Sequence, residues 1–465
     1  MLDASNKIER KLSHDLSSRQ VTMISIAGIV GAGLFVGSAA AISKIGPAVI
    51  LSYILTGILV LLVMRMLGEM AVARPDSGSF STYAAHAIGP WAGFSIGWLY
   101  WWFWVLIIPV EAIAGADILH LWFASVPSWF FTAVIMTLMT ITNLASVKNY
   151  GEFEYWFALI KVFAIVTFIV AATCALLGFW PFTHGGHLEF AIHAGGFMPH
   201  GFGAVLTGML ITIFSFFGAE IVTIAAGETE RPADKIRRAT NLIVYRIAFF
   251  YVFSISLIVS IVPWTDPRLI EVGSFQRALE LMNVPAAKFV VDAVVLVAVT
   301  SCLNSGLYTA SRMLYSLSSR RDAPRMFSKT SDNGVPRMAV LASTLAGFVG
   351  CFLNYLAPGQ VFSFLLSTTG AIALLVYLVI AVSQLCMRKK IERSGGALEF
   401  KMWLYPYLTW AVIGLIIIVL GYMVFSPEYR FETLMTLTVV VLILGMALFR
   451  KHFGYDSVAT GSVQP

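Results

Sequence analysis

Charge is what this chain has least of. Asp, Glu, Lys and Arg make up 12% of its 465 residues, against roughly 25% in a soluble domain. So small a polar complement leaves little room for a separate soluble domain. Cysteine is scarcer still: Cys174, Cys302, Cys351 and Cys386 lie in or near apolar segments and form no CxxC pair. That spacing argues against a disulfide framework and a thiolate metal centre, and the cysteines read as free thiols. The histidines fall mostly in loops without ligand spacing, so no metal is expected. No nucleophile–base pair stands out, which argues against an enzyme. The N-terminal stretch is polar as far as Arg19, and no small-residue cleavage site closes the apolar run behind it. It does not read as a signal peptide.

What is abundant is apolar sequence, with 58% hydrophobic residues and a mean hydropathy of +0.82. The apolar runs fall at 21–42, 47–70, 91–121, 127–146, 155–178, 201–226, 241–262, 286–317, 338–357, 361–387, 403–426 and 432–449. At about 20 residues per crossing they predict an all-α integral membrane protein of about twelve transmembrane helices. Gly46-Pro47, Gly89-Pro90, Arg231-Pro232, Asn333-Gly334 and Ala357-Pro358 punctuate them. The net charge of +6 comes from basic residues in short loops. It is a topology signal, so the lipid bilayer is an expected partner and nucleic acid is not. Lys7, Arg10, Lys11 and Arg19 precede the first run, and alternate loops carry further clusters such as Arg320, Arg321 and Arg325. By the positive-inside rule both termini are cytoplasmic.

Two runs are interrupted. Gly28, Gly31 and Gly33 fall close together in the first span, and each weakens a helix by roughly 1 kcal/mol relative to Ala. In lipid a freed backbone group costs several kcal/mol, so a broken span survives only where protein or a polar cavity satisfies it. The sixth span carries Phe216-Phe217-Gly218-Ala219-Glu220, a glycine close to an intramembrane carboxylate. Such breaks mark mid-membrane sites for small charged solutes. At Gly31, Ala32 and Gly33 the exposed N–H groups would suit a substrate carboxylate; close packing through small residues is the competing reading. The carbonyls of Phe216, Phe217, Gly218 and Ala219 would suit an ammonium. Glu220 either meets that amine or braces the break, and bracing is preferred. Breaks in spans 1 and 6 fit two inverted five-helix repeats. The expected organisation is a cytoplasmic N-terminal segment at 1–20, a first repeat at 21–178, a second at 201–387, helices 11 and 12 at 403–449, and a cytoplasmic tail at 450–465.

Several blocks resemble bacterial amino acid permeases of the amino acid–polyamine–organocation superfamily. They are Gly31-Ala32-Gly33-Leu34-Phe35, Leu67-Gly68-Glu69-Met70-Ala71 followed by Pro75-Asp76-Ser77-Gly78-Ser79-Phe80, and Phe217-Gly218-Ala219-Glu220 leading to Gly227-Glu228. Longer blocks are similar to the γ-aminobutyrate permeases: Gly97 through Trp104, Ser146 through Glu154, and Thr300 through Ser305 running into Tyr308 through Leu317. The resemblance implies a LeuT-like fold with broken helices 1 and 6. It also implies import of γ-aminobutyrate, or a similar small zwitterion, by alternating access across a bacterial inner membrane. It implies the proton as coupling ion, with no sodium and no cofactor; a monomer is the expected working unit. Many relatives carry a hydroxyl residue where Ala32 stands, so a carboxylate here would be met mostly by backbone. A permease or exchanger of another amino acid and a non-transporting amino acid sensor are the alternatives; the polar tails are short for a signalling domain.

Glu111 in span 3 and Lys161 in span 5 are the other deep charges. A structural ion pair, a snorkelling lysine and proton coupling are the three readings. In the resembling fold a span 5 lysine takes the place of a sodium ion, which makes Lys161, with Glu111, the expected coupling site. Ser301 and Asn304 in span 8 either bond a neighbouring helix or form a cavity wall, with Asn304 the better substrate candidate because an amide both donates and accepts. The run from Trp98 to Trp104 reads as packing and interfacial anchoring, with an ammonium cage as the alternative. Glu69, Asp76 and Glu228 sit near helix ends, where pairing with arginines such as Arg231 or Arg312 would brace or gate the bundle.

Overall fold

The computed structural model describes residues 17, 19–20, 23, 30–35, 37–76, 78–180, 195–226, 232–357 and 360–452. Among them all regular structure is helical. Span 1 contains α1 (Ala32–Phe35) and α2 (Gly37–Ile45), and span 2 is α3 (Val49–Ala73). After the short α4 (Ser79–Ala87) come α5 (Pro90–Trp122), α6 (Ser128–Ala145) and α7 (Val147–Leu176), which are spans 3 to 5. Span 6 is split into α8 (Gly201–Phe216) and α9 (Ile221–Ala226). Span 7 is α10 (Pro232–Arg246), a π-helical stretch (Ile247–Phe253) and α11 (Ser254–Ile261). The short α12 (Arg268–Val272) and α13 (Ser274–Leu281) precede α14 (Ala287–Ser319), α15 (Arg337–Leu356), α16 (Gln360–Arg393), α17 (Tyr407–Phe425) and α18 (Arg430–His452), which are spans 8 to 12.

Among the described residues eleven segments are long and apolar enough to cross a membrane, and the first, Gly33–Ala73, has 41 residues. Run straight at about 1.5 Å per residue it would be twice as long as the ~30 Å hydrocarbon core requires. The backbone turns at Gly46, where φ is +77°, with Pro47 next. That segment therefore supplies two crossings, and the eleven segments make twelve spans. The structure differs from the hydropathy boundaries where polar residues lie inside helices. α7 begins at Val147, not at 155, because the Ser146 hydroxyl caps it by accepting from the Asn149 N–H at 3.1 Å. Lys148, Glu152 and Glu154 are then helical rather than loop residues.

α5 and α14, each 33 residues long, pack against each other and form the centre of the bundle. α2 and α3 both lie on α8, tied by Ser52 Oγ to the Val205 carbonyl at 2.9 Å and by Thr56 to Thr212 at 2.7 Å. α17 and α18 turn apolar residues such as Ile417, Ile418, Val441 and Leu442 outward. The fold thus brings the breaks of spans 1 and 6 against the middle of α5 and α14.

Candidate functional site

The two broken spans touch at their breaks. Gly33 lies so close to span 6 that a Cβ there would stand 2.8 Å from Ser215 Cα. Ser215 Oγ donates to the Gly33 carbonyl at 2.7 Å, and Tyr251 OH of the π stretch donates to the Ser215 carbonyl at 2.8 Å. In span 1 the half-helix starts with Leu34 N–H on the Gly31 carbonyl at 3.2 Å. In span 6 the regular ladder closes with Phe217 N–H on the Ile213 carbonyl. Gly218 then takes φ +109°, a conformation that favours glycine. Three-residue turns follow, from Ala219 N–H to Phe216 O and from Ile221 N–H to Gly218 O.

Glu220 braces this turn. Its carboxylate accepts the Gly218 N–H at 3.1 and 3.2 Å and the Tyr100 hydroxyl at 2.9 Å. Its own carbonyl accepts Thr223 Oγ1 at 2.7 Å. A residue that is 0% exposed thus spends its charge on backbone and phenol donors, which offsets part of its desolvation.

A cavity lies at the meeting point of the breaks. Span 1 contributes Gly31 and Gly33, span 6 contributes Phe214 and Phe217, α14 contributes Cys302, and α5 contributes Phe103, Trp104 and Glu111. Its volume is about 20 Å³, room for a water molecule and not for an amino acid. Phe217 packs beside it: its ring centroid is 4.0 Å from Phe103, 5.4 Å from Tyr377 and 5.9 Å from Tyr100. At one end of span 1, Phe275 of α13 packs between Phe35 and Phe168, with centroids 4.9 and 4.8 Å away, and Ser274 bonds Ser38 at 2.6 Å.

The charged corner of the cavity is built on span 1. Lys161 Nζ donates to the Val30 carbonyl at 2.8 Å. A Cβ on Gly31 would come within 3.0 Å of Cys302 Sγ and 3.2 Å of Glu111 Oε1. Glu111 is 1% and Lys161 0% exposed, so Lys161 does not snorkel to an interface. Lys161, Val30, Gly31, Glu111 and Cys302 thus form one corner.

Not every expected residue is on the cavity wall. Phe216 packs on Tyr251 and Tyr53, at 4.4 and 5.9 Å. Ser301 Oγ and Asn304 Nδ2 donate to Glu154, at 2.7 and 2.6 Å. The aromatic run divides. Trp98 and Trp101 bond to the Asp322 carbonyl and to Ser343, whereas Phe103 and Trp104 face the cavity. Glu69 pairs with Arg388 at 3.1 Å and accepts from Gln384 at 2.8 Å and from the Met402 N–H. Arg312 is buried over the Tyr308 ring, 4.0 Å from its centroid. Asp76 accepts from the Gly78 N–H at 2.6 Å and from Thr82 Oγ1 at 3.0 Å, just ahead of and within the first turn of α4. Glu228, Arg231 and the first glycine, Gly28, lie outside the described residues.

Sequence reasoning passed over Glu154 and Tyr100. Glu154 is 0% exposed although it precedes the apolar run that marks span 5. Its signal was its seven-residue spacing from Lys161, which places both on one helix face.

The model of the family described as amino acid permease matches residues 20–456. The chain is 58% identical over 433 residues to a probable GABA permease of Pseudomonas aeruginosa, covering 93% of this chain and 91% of the relative. It is 56% identical over 426 residues to the γ-aminobutyric acid permease of Escherichia coli, covering 92% and 91%. An aromatic amino acid transport protein of Corynebacterium glutamicum is more distant, at 39% over 406 residues, covering 86% and 87%. With broken spans, buried charges and full-length similarity in agreement, this multi-pass membrane protein belongs to the amino acid permease family.

Proposed function

We propose that the chain imports γ-aminobutyrate, or a similar small zwitterionic amino acid, with a proton across a bacterial inner membrane. The carrying observation is the meeting of two broken helices beside a buried lysine and a buried carboxylate. Full-length similarity to proteins named for γ-aminobutyrate supports the substrate. The substrate carboxylate meets the backbone of Gly31, Ala32 and Gly33, where a half-helix presents N–H groups. The substrate amine meets the span 6 carbonyls from Phe216 to Ala219. Because γ-aminobutyrate separates its charges by three methylenes, these poles must lie further apart than an α-amino acid needs. Phe217 swings aside to make that room.

Lys161 and Glu111 hold the coupling proton beside the first break. When Lys161 is an ammonium it can donate to the Val30 carbonyl and steady the break. When the proton leaves, the bond weakens and span 1 is released to move. Ser301 and Asn304 act through Glu154 in this scheme rather than through the substrate, and Glu69 and Glu220 brace helices. Both termini are cytoplasmic by the positive-inside rule, and one copy of the chain holds the whole site.

The test is uptake of labelled γ-aminobutyrate into liposomes holding the purified protein, with and without an inward proton gradient. A gradient of about one pH unit drives accumulation of up to roughly tenfold for one proton per substrate. Stronger competition from an α-amino acid than from γ-aminobutyrate removes the substrate assignment. Uptake that needs an internal amino acid identifies an exchanger.

A further inference from the structure

Glu154 and Lys161 lie two turns apart on one face of α7, about 10 Å along the helix axis. Both are 0% exposed. Glu154 is held from one other helix, α14. Ser301 Oγ donates to one carboxylate oxygen at 2.7 Å and Asn304 Nδ2 to the other at 2.6 Å. Asn304 is itself oriented: Thr142 Oγ1 and Asn143 Nδ2 of α6 donate to its Oδ1 at 2.9 and 2.8 Å. With its oxygen occupied, Asn304 has only its amino group left for Glu154. Two donors on α14, one of them set in turn by α6, thus form a receptacle for a carboxylate.

Among the described residues no ion pair within 4 Å joins Glu154 to a cation. The titratable and charged groups that face it are Lys161 and Tyr150 on α7 and Cys302 on α14; α6 presents the neutral Thr142 and Asn143. Beyond Glu154, away from Lys161, the polar line continues. Tyr150 stacks on Tyr308 at 4.2 Å with its hydroxyl 3.4 Å from Ser305 Oγ, and Arg312 covers Tyr308. Glu154 therefore stands between the coupling corner and the helix ends at Val147 and Ser319.

We propose that Glu154 is a second proton-linked residue, a clasp that holds α7 to α14 and α6 as a carboxylate and loosens when it takes up the proton leaving the Lys161 corner. This rests on the proton-coupled reading above. Water relays the proton. An N–H bond breaks at Lys161 and an O–H bond forms at Glu154, so ammonium and carboxylate both become neutral. The acid then returns the proton to water at the Val147 end. A carboxylic acid turns one acceptor into a donor, and one of the two incoming bonds must be given up or reversed. Glu154 touches no substrate and is a positioning residue.

Glu154→Gln fixes the neutral form, and Glu154→Asp keeps the acid. Both are read in liposomes by γ-aminobutyrate counterflow and by accumulation under an imposed pH gradient. The expected result is that Glu154→Gln keeps counterflow within about threefold of wild type, accumulates nothing above equilibrium and has a flat pH profile, while Glu154→Asp keeps part of the accumulation. Accumulation by Glu154→Gln equal to wild type overturns the proposal. Loss of counterflow and accumulation together in both variants shows a purely structural residue and overturns it as well. A wild-type protein that ignores the gradient removes the proton-coupled reading itself, and the clasp with it.

Discussion

Ser215 Oγ and the Gly33 carbonyl are 2.7 Å apart, and that one bond joins the break of span 1 to the break of span 6. Ser215→Ala leaves the Gly33 carbonyl without this donor, a loss of about 0.5–1.5 kcal/mol. The expected outcome is a small fall in melting temperature in detergent and a clear change in transport rate, because the bond links the moving parts. A variant with wild-type uptake and lowered stability alone contradicts that coupling.

The same contact ranks two glycine substitutions. A methyl at Gly33 meets the Ser215 backbone at 2.8 Å, which cannot step aside, whereas a methyl at Gly31 meets the Cys302 and Glu111 side chains at 3.0 and 3.2 Å. Overpacking costs roughly 1–3 kcal/mol, and Gly33→Ala should carry the larger share. Melting temperatures of the two variants side by side check the order.

Lys161→Met removes the donor to the Val30 carbonyl and the positive charge together. Gradient-driven accumulation should vanish. A hydrogen bond from a charged group contributes about 1.5–3 kcal/mol, so the melting temperature in detergent should fall as well. Uptake that still follows the pH gradient in this variant refutes the coupling role.

Composition and spacing alone make much of this architecture legible. Gly31, Gly33 and Gly218 in apolar runs are costly enough in lipid to announce broken helices, and Lys161 and Glu111 are too expensive there to be accidental. The partners of Ser301 and Asn304 are not legible in the same way. Spacing along one helix tells which residues share a face, but not what the neighbouring helix sets against it. Glu154 is hidden for a different reason: the polar run from Lys148 to Glu154 reads as loop by hydropathy, yet the Ser146 cap starts the helix eight residues before the apolar run. Phe217 sits on the cavity while its neighbour Phe216 turns away, because α8 ends at Phe216 and the backbone becomes extended at Phe217 (φ −68°, ψ 139°).

Glu220 separates bracing from substrate contact. Tyr100→Phe deletes one donor to the carboxylate and should cost about 1–3 kcal/mol of stability, with the KM for γ-aminobutyrate within about twofold of wild type. Glu220→Gln keeps an acceptor for the Gly218 N–H and should behave mildly in the same assay. A large rise in KM with unchanged stability in Glu220→Gln would instead place this residue on the substrate amine.

Arg388 and Glu69 form a pair with side chains 12% and 3% exposed. Arg388→Ala strands a buried carboxylate on Gln384 and the Met402 N–H, and breaking such a pair costs about 3–5 kcal/mol. Thermal unfolding of Arg388→Ala should therefore come well below that of Glu69→Gln, in which the guanidinium keeps Glu392 at 2.9 Å. Equal melting temperatures would show that the pair adds little.

The cavity that Phe217 lines holds about 20 Å³, and under the proposed scheme that smallness lowers the ligand's apparent affinity. An amino acid binds only those molecules in which the ring has already moved, so the measured Kd equals the intrinsic value divided by the opened fraction. If one molecule in about a hundred is open, a tight site reads as a weak one by that same factor. A smaller side chain at position 217 would raise the opened fraction, strengthening equilibrium binding while stabilising the loaded state from which substrate must escape.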